Sequence, residues 1–480
     1  MTTSDGQSID RLREYLRKLK PQARSMLVQE LERNLLRGEE NTGNDLVLQE
    51  LRRAIRADSQ PVPRIRDAAR LFFAPVEAFL IDGPADHKRT GRLARISLEP
   101  IWAWIGRDLI PAEAKAFGDD IHRALLADDQ SKADQLVNAL HERAISRIRE
   151  AIANTGLDEK ARRRLAVQVG TPRALEDLGT LVALLSLRNV LADFAQRLPN
   201  HIRVFDRDEI NAVTKQIDAA VAQSALEANG IRKADVYLYS CILVMSRLAA
   251  PWQLIRIATR AAESDNTARI AETAYAGAVT LVLGEAETMV GELRAELRAG
   301  RPIVSMLKAI HDVARGLRSE MDMSVESSWS RQLAAIRAEV SSLLKAEIEA
   351  TPGFVRRLLR PRPPKDIAAG SMLDSIDVNE AEMRVEFVGA CRQYAGELAV
   401  NEVTMRAHSE LSLYLETGTK VLLDSLRHAG DADRPFRQSQ VEAAIRFCRT
   451  IFGNEYAGLL AKAAEVAVQT GAAERRPARA

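Results

Sequence analysis

Histidine is the residue type in this sequence best suited to metal binding or proton transfer, and seven are present. A di-iron helical bundle needs Glu-x-x-His on facing helices, and none of the seven histidines has a glutamate three positions before it. Asp119 and His122 have the nearest spacing, and His141 lacks the second histidine of a zinc-binding His-Glu-x-x-His motif. His311 and Asp312 are adjacent, but no other histidine lies on the same predicted helix. We therefore expect no metal centre.

Cysteine, glycine and serine patterns give no further sign of a cofactor or a catalytic centre. Cys241, Cys391 and Cys448 are too far apart for a Cys-x-x-Cys pair, so we expect buried thiols and a reducing compartment. Residues 431–442 match a calcium-binding loop in part, but Phe436 stands where the sharp turn needs glycine. No glycine-rich phosphate loop or Gly-x-Ser-x-Gly turn occurs, although a Ser/His/Asp triad is defined by geometry and stays open. We expect no cofactor and assign no catalytic residue.

A basic segment, residues 354–365, is one of two stretches with a stronger functional signal. Phe354, Leu358 and Leu359 give it an apolar side, and prolines at positions 361, 363 and 364 stop a helix. Such a segment suits an anionic membrane surface, nucleic acid or an acidic partner, and the alternative is a plain connector with solvated arginines. The candidate contact residues are Arg356, Arg357, Arg360, Arg362 and Lys365.

The second stretch, residues 98–109, contains two tryptophans in a short predicted helix. Helical spacing puts Ile101, Trp104 and Ile105 on one face and Trp102 on another. A helix that is apolar on more than one face lies in a core or in an interface. We interpret the tryptophans as core side chains, and a partner surface formed by Trp102 and Trp104 is the alternative.

Helical periodicity recurs along the chain and predicts the elements that must position these residues. Near the N-terminus, apolar residues at helical spacing mark three helices, with stripes at positions 12, 16 and 19, at 27, 31 and 35, and at 48, 51 and 55. Thr171 before Pro172 and Asp206 before Arg207 are typical helix N-caps. Residues 236–245 form the longest apolar run, so we expect them in a central buried helix.

The predicted fold class is all-α, because alternating strand patterns are almost absent. We expect an irregular multi-helix array or bundle, of which an irregular α-solenoid is one form, with no significant β-sheet. The predicted segments are an N-terminal helical unit (1–58), a proline-punctuated irregular connection packed on the body (59–95), a central helical body (96–350), a basic proline-rich break (351–370), a C-terminal helical block (371–470) and a disordered tail (471–480). Within the irregular connection, we expect an exposed loop at residues 82–91.

Composition places the chain among folded proteins: 46% of its 480 residues are apolar and 28% are charged. The formal net charge of +2 and the lack of a long basic helical stripe give nucleic acid little support as a partner. The N-terminus lacks a signal-peptide pattern, and the longest apolar run is about half the roughly 20 residues of a membrane span. These observations predict a cytoplasmic location.

The missing motifs favour a non-enzymatic helical scaffold or a regulatory protein-interaction protein. Helices with wide apolar faces suit a protein partner or self-association. Two alternatives stay open. One is an enzyme whose site is assembled from distant helices, and the other is a peripheral membrane protein that docks through residues 354–365.

Overall fold

A computed structural model describes residues 68–82, 88–127, 129–156, 158–227, 232–323 and 326–473, together with single residues and short stretches between 12 and 51. The chain divides into two compact units. The first contains residues 1–195 and 222–235, and the second contains residues 196–221 and 236–480. Helices account for 81% of the structure, so the predicted all-α class is confirmed.

The described residues between 68 and 195, in the first unit, contain seven helices, joined by short turns. Residues 74–79 and 95–97 form 3-10 turns, and residues 105–109 form a π-helical turn. The helices are α1 (Ala68–Phe73), α2 (Leu98–Trp104), α3 (Pro111–Leu126), α4 (Gln130–Ala153), α5 (Glu159–Val169), α6 (Pro172–Ser186) and α7 (Arg188–Arg197).

The three predicted N-terminal helices are represented by described helical residues between 12 and 51. Leu16, Val28, Leu48 and Leu51 form a buried cluster there. Leu27, predicted on the core stripe, is 36% exposed, because Val28 occupies that core position instead. The predicted positions 35 and 55, and residues 59–67 and 83–87 of the predicted connection, lie outside the described residues.

One small β-element interrupts the helices of the first unit. β1 (Leu80–Ile81) pairs in parallel with β2 (Leu93–Ala94), with Leu80 opposite Leu93. Leu93 and Ala94 are fully buried, so the pair packs into the core. A pair of two-residue strands is too small to be stable as an independent sheet, so packing against the helices must hold this element in place.

The second unit contains the remaining helices of the described residues. A 3-10 turn at Pro251–Leu254 and another at Pro364–Asp366 accompany them. They are α8 (Arg207–Glu227), α9 (Lys233–Met245), α10 (Ile255–Ala262), α11 (Thr267–Ala271), α12 (Ala276–Arg298), α13 (Val304–Glu320), α14 (Ser328–Leu359), α15 (Ser375–Leu398), α16 (Asn401–Arg427), α17 (Arg434–Phe452) and α18 (Asn454–Ala473).

Helix starts follow the capping residues predicted from sequence. The Asp206 carboxylate accepts a hydrogen bond from the Glu209 backbone N–H at 3.0 Å, and Thr171 Oγ1 accepts one from the Ala174 N–H at 3.0 Å. Residues 236–245 lie in α9, where all but two are buried, so the predicted buried helix is confirmed. Local signals therefore set where these helices begin and which of them enters the core.

Gly316 in α13 is required by close packing against Trp252. A Cβ at residue 316 would lie 2.3 Å from Cδ2 and 2.7 Å from Cγ of the indole, well inside normal contact. The Trp252 ring also contacts Arg256, whose guanidinium lies 5.3 Å from the ring centroid. The packing of Trp252 against Gly316 thus outweighs the roughly 1 kcal/mol of helix stability that glycine costs relative to alanine.

Helices α14 to α18 form an antiparallel bundle at the end of the second unit. Arg384 of α15 lies 3.2 Å from Glu347 of α14, and Arg337 near the start of α14 donates to the Gly396 carbonyl near the end of α15 at 2.6 Å. Two residues separate α15 from α16, six separate α16 from α17, and one separates α17 from α18. Successive helices therefore reverse direction through short connections.

Pro352 does not end a helix, which corrects the predicted break at residue 351. α14 continues through Pro352 to Leu359, although proline removes a backbone hydrogen bond and costs about 3 kcal/mol within a helix. Ile348, Val355 and Leu359 lie at most 2% exposed on either side, and full burial of such side chains gives about 1.5–3 kcal/mol each. Burial on both sides therefore offsets the proline, and the irregular connection begins at Arg360.

The predicted start of the tail at residue 471 is also corrected, because residues 471–473 are helical. α18 extends to Ala473, past the predicted start of the tail at residue 471, and residues 474–480 lie outside the described residues.

Candidate functional site

The last turn of α14 and the connection that follows it hold the basic segment. Gln440 of α17 is fully buried, and its Nε2 donates to the Arg360 carbonyl at 3.0 Å and, more weakly, to the Leu358 carbonyl at 3.5 Å. Arg437 of α17, 5% exposed, donates from Nη2 to the Arg362 carbonyl. The last carbonyls of a helix lack intrahelical donors, and Gln440 supplies one to the carbonyls of Leu358 and Arg360, while Arg437 supplies one to a carbonyl beyond the helix. The backbone of residues 358–362 is therefore fixed on α17.

Aromatic rings support two of the guanidinium groups of the basic segment. Arg357 lies 5.5 Å from the ring centroid of Phe354, and Arg362 lies 5.4 Å from that of Phe436. Such cation–π contacts contribute about 0.5–1 kcal/mol at exposed sites. They also limit the orientations of the arginines, so the charges are held in place rather than spread over many conformations.

Arg356 is the one residue of the five predicted cations with an ion-pair partner in the described part of the chain. Its Nη2 lies 3.1 Å from Glu410 of α16, and its guanidinium lies 5.9 Å from the Tyr414 ring. All five side chains are exposed. The predicted residues are therefore exposed along the last turn of α14 and the connection after it, and four of them have no carboxylate partner among the described residues, namely Arg357, Arg360, Arg362 and Lys365.

The predicted tryptophan pair lies mainly in the core of the first unit. Trp104 is 2% exposed and is not available to a partner, which agrees with the core interpretation rather than with a partner surface. Trp102 is half-buried, with its ring centroid 5.3 Å from that of Phe72 and 6.2 Å from that of Phe73. Neither residue forms an exposed aromatic patch.

Sequence reasoning missed a buried charge network around Asp177 of α6. Asp177 is fully buried and accepts hydrogen bonds from Lys88 Nζ, from the Ala94 backbone N–H at 3.1 Å and from Ser97 Oγ at 2.8 Å. Arg173 Nε lies 3.6 Å from the same carboxylate. Desolvation lowers the pKa of the Lys88 amine, and the hydrogen bond and charge of Asp177 oppose that shift.

The Asp177 network anchors the loop predicted for residues 82–91, in which Asp82, Lys88 and Thr90 are exposed as expected. Lys88 reaches into the core with a side chain that is 30% exposed, and Gly91 is buried. No sequence motif joins residues 88 and 177, because the contact spans 89 positions. Three hydrogen-bond donors and the nearby Arg173 guanidinium surround the Asp177 carboxylate, so the network anchors the chain.

A cleft of about 560 Å³ in the second unit is another arrangement that sequence reasoning missed. Arg256 is fixed there, since its Nε donates to Glu320 at 2.8 Å and its Nη1 to the Phe205 carbonyl at 3.1 Å. Arg207 and Arg260 are exposed and have no ion-pair partner within the described ranges. The lining residues are Phe205, Asp206, Arg207, Ile210, Arg256, Thr259, Arg260, Glu263 and Glu320.

The titratable residues that could hold a metal are dispersed. Across the described residues, no three histidine, cysteine, aspartate or glutamate side chains are grouped so that they could bind a metal ion. His311 packs its ring 4.8 Å from that of Tyr394. The three cysteines are buried and free, and burial raises the pKa of each thiol to about 12. They therefore stay protonated and weakly nucleophilic.

His141 of α4 is a buried imidazole with a structural contact. Its Nε2 lies 2.8 Å from the Phe72 carbonyl, so this nitrogen carries the hydrogen, and the residue is 1% exposed. Burial lowers the pKa of His141 to about 4. The imidazole is therefore neutral at physiological pH and fixes α1 to α4.

Comparisons with family models, with curated proteins and with solved structures give no match to this chain. Among the described helices, none is by itself both long and apolar enough to cross a membrane, and the joined helices α6 and α7 meet the length and composition test only as a pair bent by 66°.

Proposed function

We propose that the protein is a non-enzymatic helical interaction protein that binds an anionic partner through the basic segment. The observation that carries the proposal is the set of four exposed cations, Arg357, Arg360, Arg362 and Lys365, without a carboxylate partner among the described residues. Fixed charges lose little conformational freedom when a partner binds, and their Coulomb attraction to an anion acts over the screening length of about 8–10 Å.

The anchoring of the backbone supports this interpretation over that of a plain connector. A connector needs only to join α14 to α15, whereas here Gln440 and Arg437 are buried in order to hold the carbonyls of residues 360 and 362. Buried polar side chains cost folding free energy unless they are hydrogen-bonded. Their presence fixes the position of the neighbouring cations, which is what recognition of an anionic surface requires.

Retention on immobilised polyglutamate tests the proposal. The test variant changes Arg357, Arg360, Arg362 and Lys365 to serine. The matched control changes four exposed cations of α4 and α5 to serine, namely Arg143, Lys160, Arg162 and Arg164, which have no carboxylate within ion-pair distance in the described structure. Both variants lower the net charge by the same amount.

We expect the wild type and the control to elute at similar, high salt concentrations and the test variant to elute at a lower one. Equal elution of the two variants would show that net charge alone governs retention, and would refute the proposal.

A second candidate function is an enzyme or small-ligand protein that uses the cleft around Arg256. This candidate is favoured by the convergence of three arginines and three acids from α8, α10 and α13 and their flanking turns. Glu263 in the lining adopts a left-handed backbone conformation, φ +48°, which is strained for a side chain of this type. A thermal-stability screen against small zwitterions, carboxylates and phosphates tests it. A ligand of this cleft raises the wild-type melting temperature and leaves that of Arg260→Ala unchanged.

A further inference from the structure

The connection between α14 and α15 carries exposed apolar side chains as well as cations. Met372 is 68% exposed and Ile376, in the first turn of α15, is 72% exposed. Isolated exposed apolar residues are common on protein surfaces. This apolar pair, Met372 and Ile376, is distinctive because it follows Lys365, the last of the four unpaired cations, within a dozen residues.

The N-terminal turns of α17 support both groups. Arg437 and Gln440 hold the carbonyls of residues 362 and 360, as described above. Between these two residues, the Ser439 hydroxyl accepts a hydrogen bond from the Leu373 backbone N–H at 3.0 Å, and the Ala432 carbonyl just before α17 accepts one from the Gly370 N–H at 3.0 Å. The cations and the apolar pair are therefore fixed on one support, at one end of the bundle.

Acidic residues near this support form no ion pair with the four unpaired cations in the described structure. Asp374 caps α15 by accepting from the Ile376 backbone N–H at 2.8 Å. Asp433 is 6% exposed and lies 3.5 Å from Arg437, so these two charges compensate each other. The acids other than Asp433 on the connection, the first turn of α15 and the support are Asp366, Asp374, Asp377 and Asp431.

We propose that this end of the bundle docks on a membrane surface that contains anionic lipid. The cations contact the headgroups, and the apolar pair enters the boundary between headgroups and acyl chains. A lipid surface accepts exposed apolar side chains without a complementary shape, whereas a protein partner must provide a matching groove. The inference rests on the proposed function, because it names the source of the anion that the basic segment binds.

Vesicle co-sedimentation of the full chain tests the inference. The vesicles contain phosphatidylcholine alone or phosphatidylcholine with phosphatidylserine, at low and at high salt. We expect the wild type to pellet with the phosphatidylserine vesicles at low salt, to be released at high salt and to stay in solution with phosphatidylcholine alone. Each cation near the surface changes the partition coefficient by about fivefold.

Two variants and a control separate the contribution of the four cations to vesicle binding from that of the apolar pair. The four-serine variant of Arg357, Arg360, Arg362 and Lys365 should lose at least about a hundredfold in partition coefficient. The double variant Met372→Ser and Ile376→Ser should lose about tenfold at unchanged charge, because it removes the apolar contribution. The control variant at positions 143, 160, 162 and 164 should bind as the wild type does. Far-ultraviolet circular dichroism confirms that each variant is folded.

Three results would overturn the inference. The first is a wild type that pellets with neither kind of vesicle, and the second is equal pelleting of the wild type and the four-serine variant. The third is an unchanged partition coefficient for the Met372 and Ile376 double variant, which would remove the lipid-specific contribution. If the wild type is retained on polyglutamate through the basic segment but binds no vesicles, the proposed function stands and the membrane inference fails. Loss of both would refute both.

Discussion

Asp177 in the first unit and Gln440 with Arg437 in the second each fix an irregular segment onto a helix, but with opposite chemistry. The Asp177 carboxylate accepts hydrogen bonds from Lys88 and from groups of residues 94–97. Gln440 and Arg437 instead donate to the backbone carbonyls of residues 360 and 362. The first anchor therefore pairs with Lys88, a cation of its own segment, whereas the second leaves four cations of its segment without a carboxylate partner among the described residues.

This difference separates charge that stabilises the fold from charge that is available to a partner. A buried carboxylate with several donors contributes to folding and offers nothing to a ligand. A segment that is held through its backbone keeps its side chains for another role. The predictions below test this distinction, from the largest expected change in stability to the smallest.

Asp177→Ala should destabilise the first unit by about 3–5 kcal/mol, because it leaves the Lys88 ammonium and the Ala94 N–H near a buried site without their acceptor. Equilibrium urea unfolding measures the change. Glu176→Ala on the same helix, whose side chain is 44% exposed, is the control and should change stability by less than about 1 kcal/mol. Equal effects of the two substitutions would show that the Asp177 network does not anchor the unit.

Leu243→Ala in α9 should destabilise the second unit by about 2–5 kcal/mol, the range for truncation of a buried leucine. Leu243 is 7% exposed and lies in the longest apolar run of the chain. The loss of unfolding free energy in Leu243→Ala measures the effect of lost apolar packing in the second unit. The effect of removing the Gln440 side chain can be compared with it. An unchanged melting temperature would place Leu243 outside the core.

Acidification should destabilise the first unit through His141, whose pKa burial lowers to about 4. In the unfolded chain His141 takes up a proton near the ordinary pKa of 6.5. The contribution of the neutral imidazole to the unfolding free energy is therefore fully present above that pH and is lost as the pH drops towards 4. The loss reaches about 3 kcal/mol over this window. Urea unfolding at a series of pH values measures it. His141→Gln keeps a donor for the Phe72 carbonyl and should remove this contribution, so an unchanged pH dependence would contradict the assignment.

Gln440→Ala should destabilise the second unit by about 1–3 kcal/mol, because the Arg360 carbonyl loses its buried donor. Gln438→Ala is the matched control two residues away, since Gln438 is exposed and contacts only Glu442 at 2.9 Å. Hydrogen exchange should also increase at residues 358–362 in the Gln440 variant alone. If both variants unfold at the same urea concentration, the carbonyl contacts do not hold the segment.

Serine in place of Arg357, Arg360, Arg362 and Lys365 should change the unfolding free energy by less than about 1 kcal/mol for each substitution, since exposed side chains without an ion pair contribute little to folding and the cation–π contacts of Arg357 and Arg362 contribute about 0.5–1 kcal/mol. Thermal unfolding followed by circular dichroism measures it. A larger destabilisation would mean that these cations belong to the fold, as Lys88 does, and would remove the distinction between the two regions.

Features that depend on neighbouring residues in the chain were predictable from sequence. The caps at Thr171 and Asp206 use groups within three residues, and the burial of residues 236–245 follows from their composition. The basic segment was also predicted from the sequence, because its cations lie close together along the chain. Helix type, helix starts and the main apolar helix therefore required no knowledge of the tertiary structure.

The features that sequence missed depend on distant partners. Lys88 reaches Asp177 across 89 positions and Gln440 reaches Arg360 across 80, and no periodicity connects such pairs. Pro352 shows the reverse case, in which a reliable local rule fails because buried neighbours on both sides offset it. The cleft around Arg256 likewise joins residues from three helices and their flanking turns.

The placement of the four tryptophans makes the two units optically separable. Trp102 and Trp104 belong to the first unit, and Trp252 and Trp329 belong to the second. An indole in apolar surroundings emits at shorter wavelength than one in water, so unfolding of each unit shifts the fluorescence of its own pair. A chain with phenylalanine at positions 252 and 329 would report on the first unit alone, and the complementary chain would report on the second.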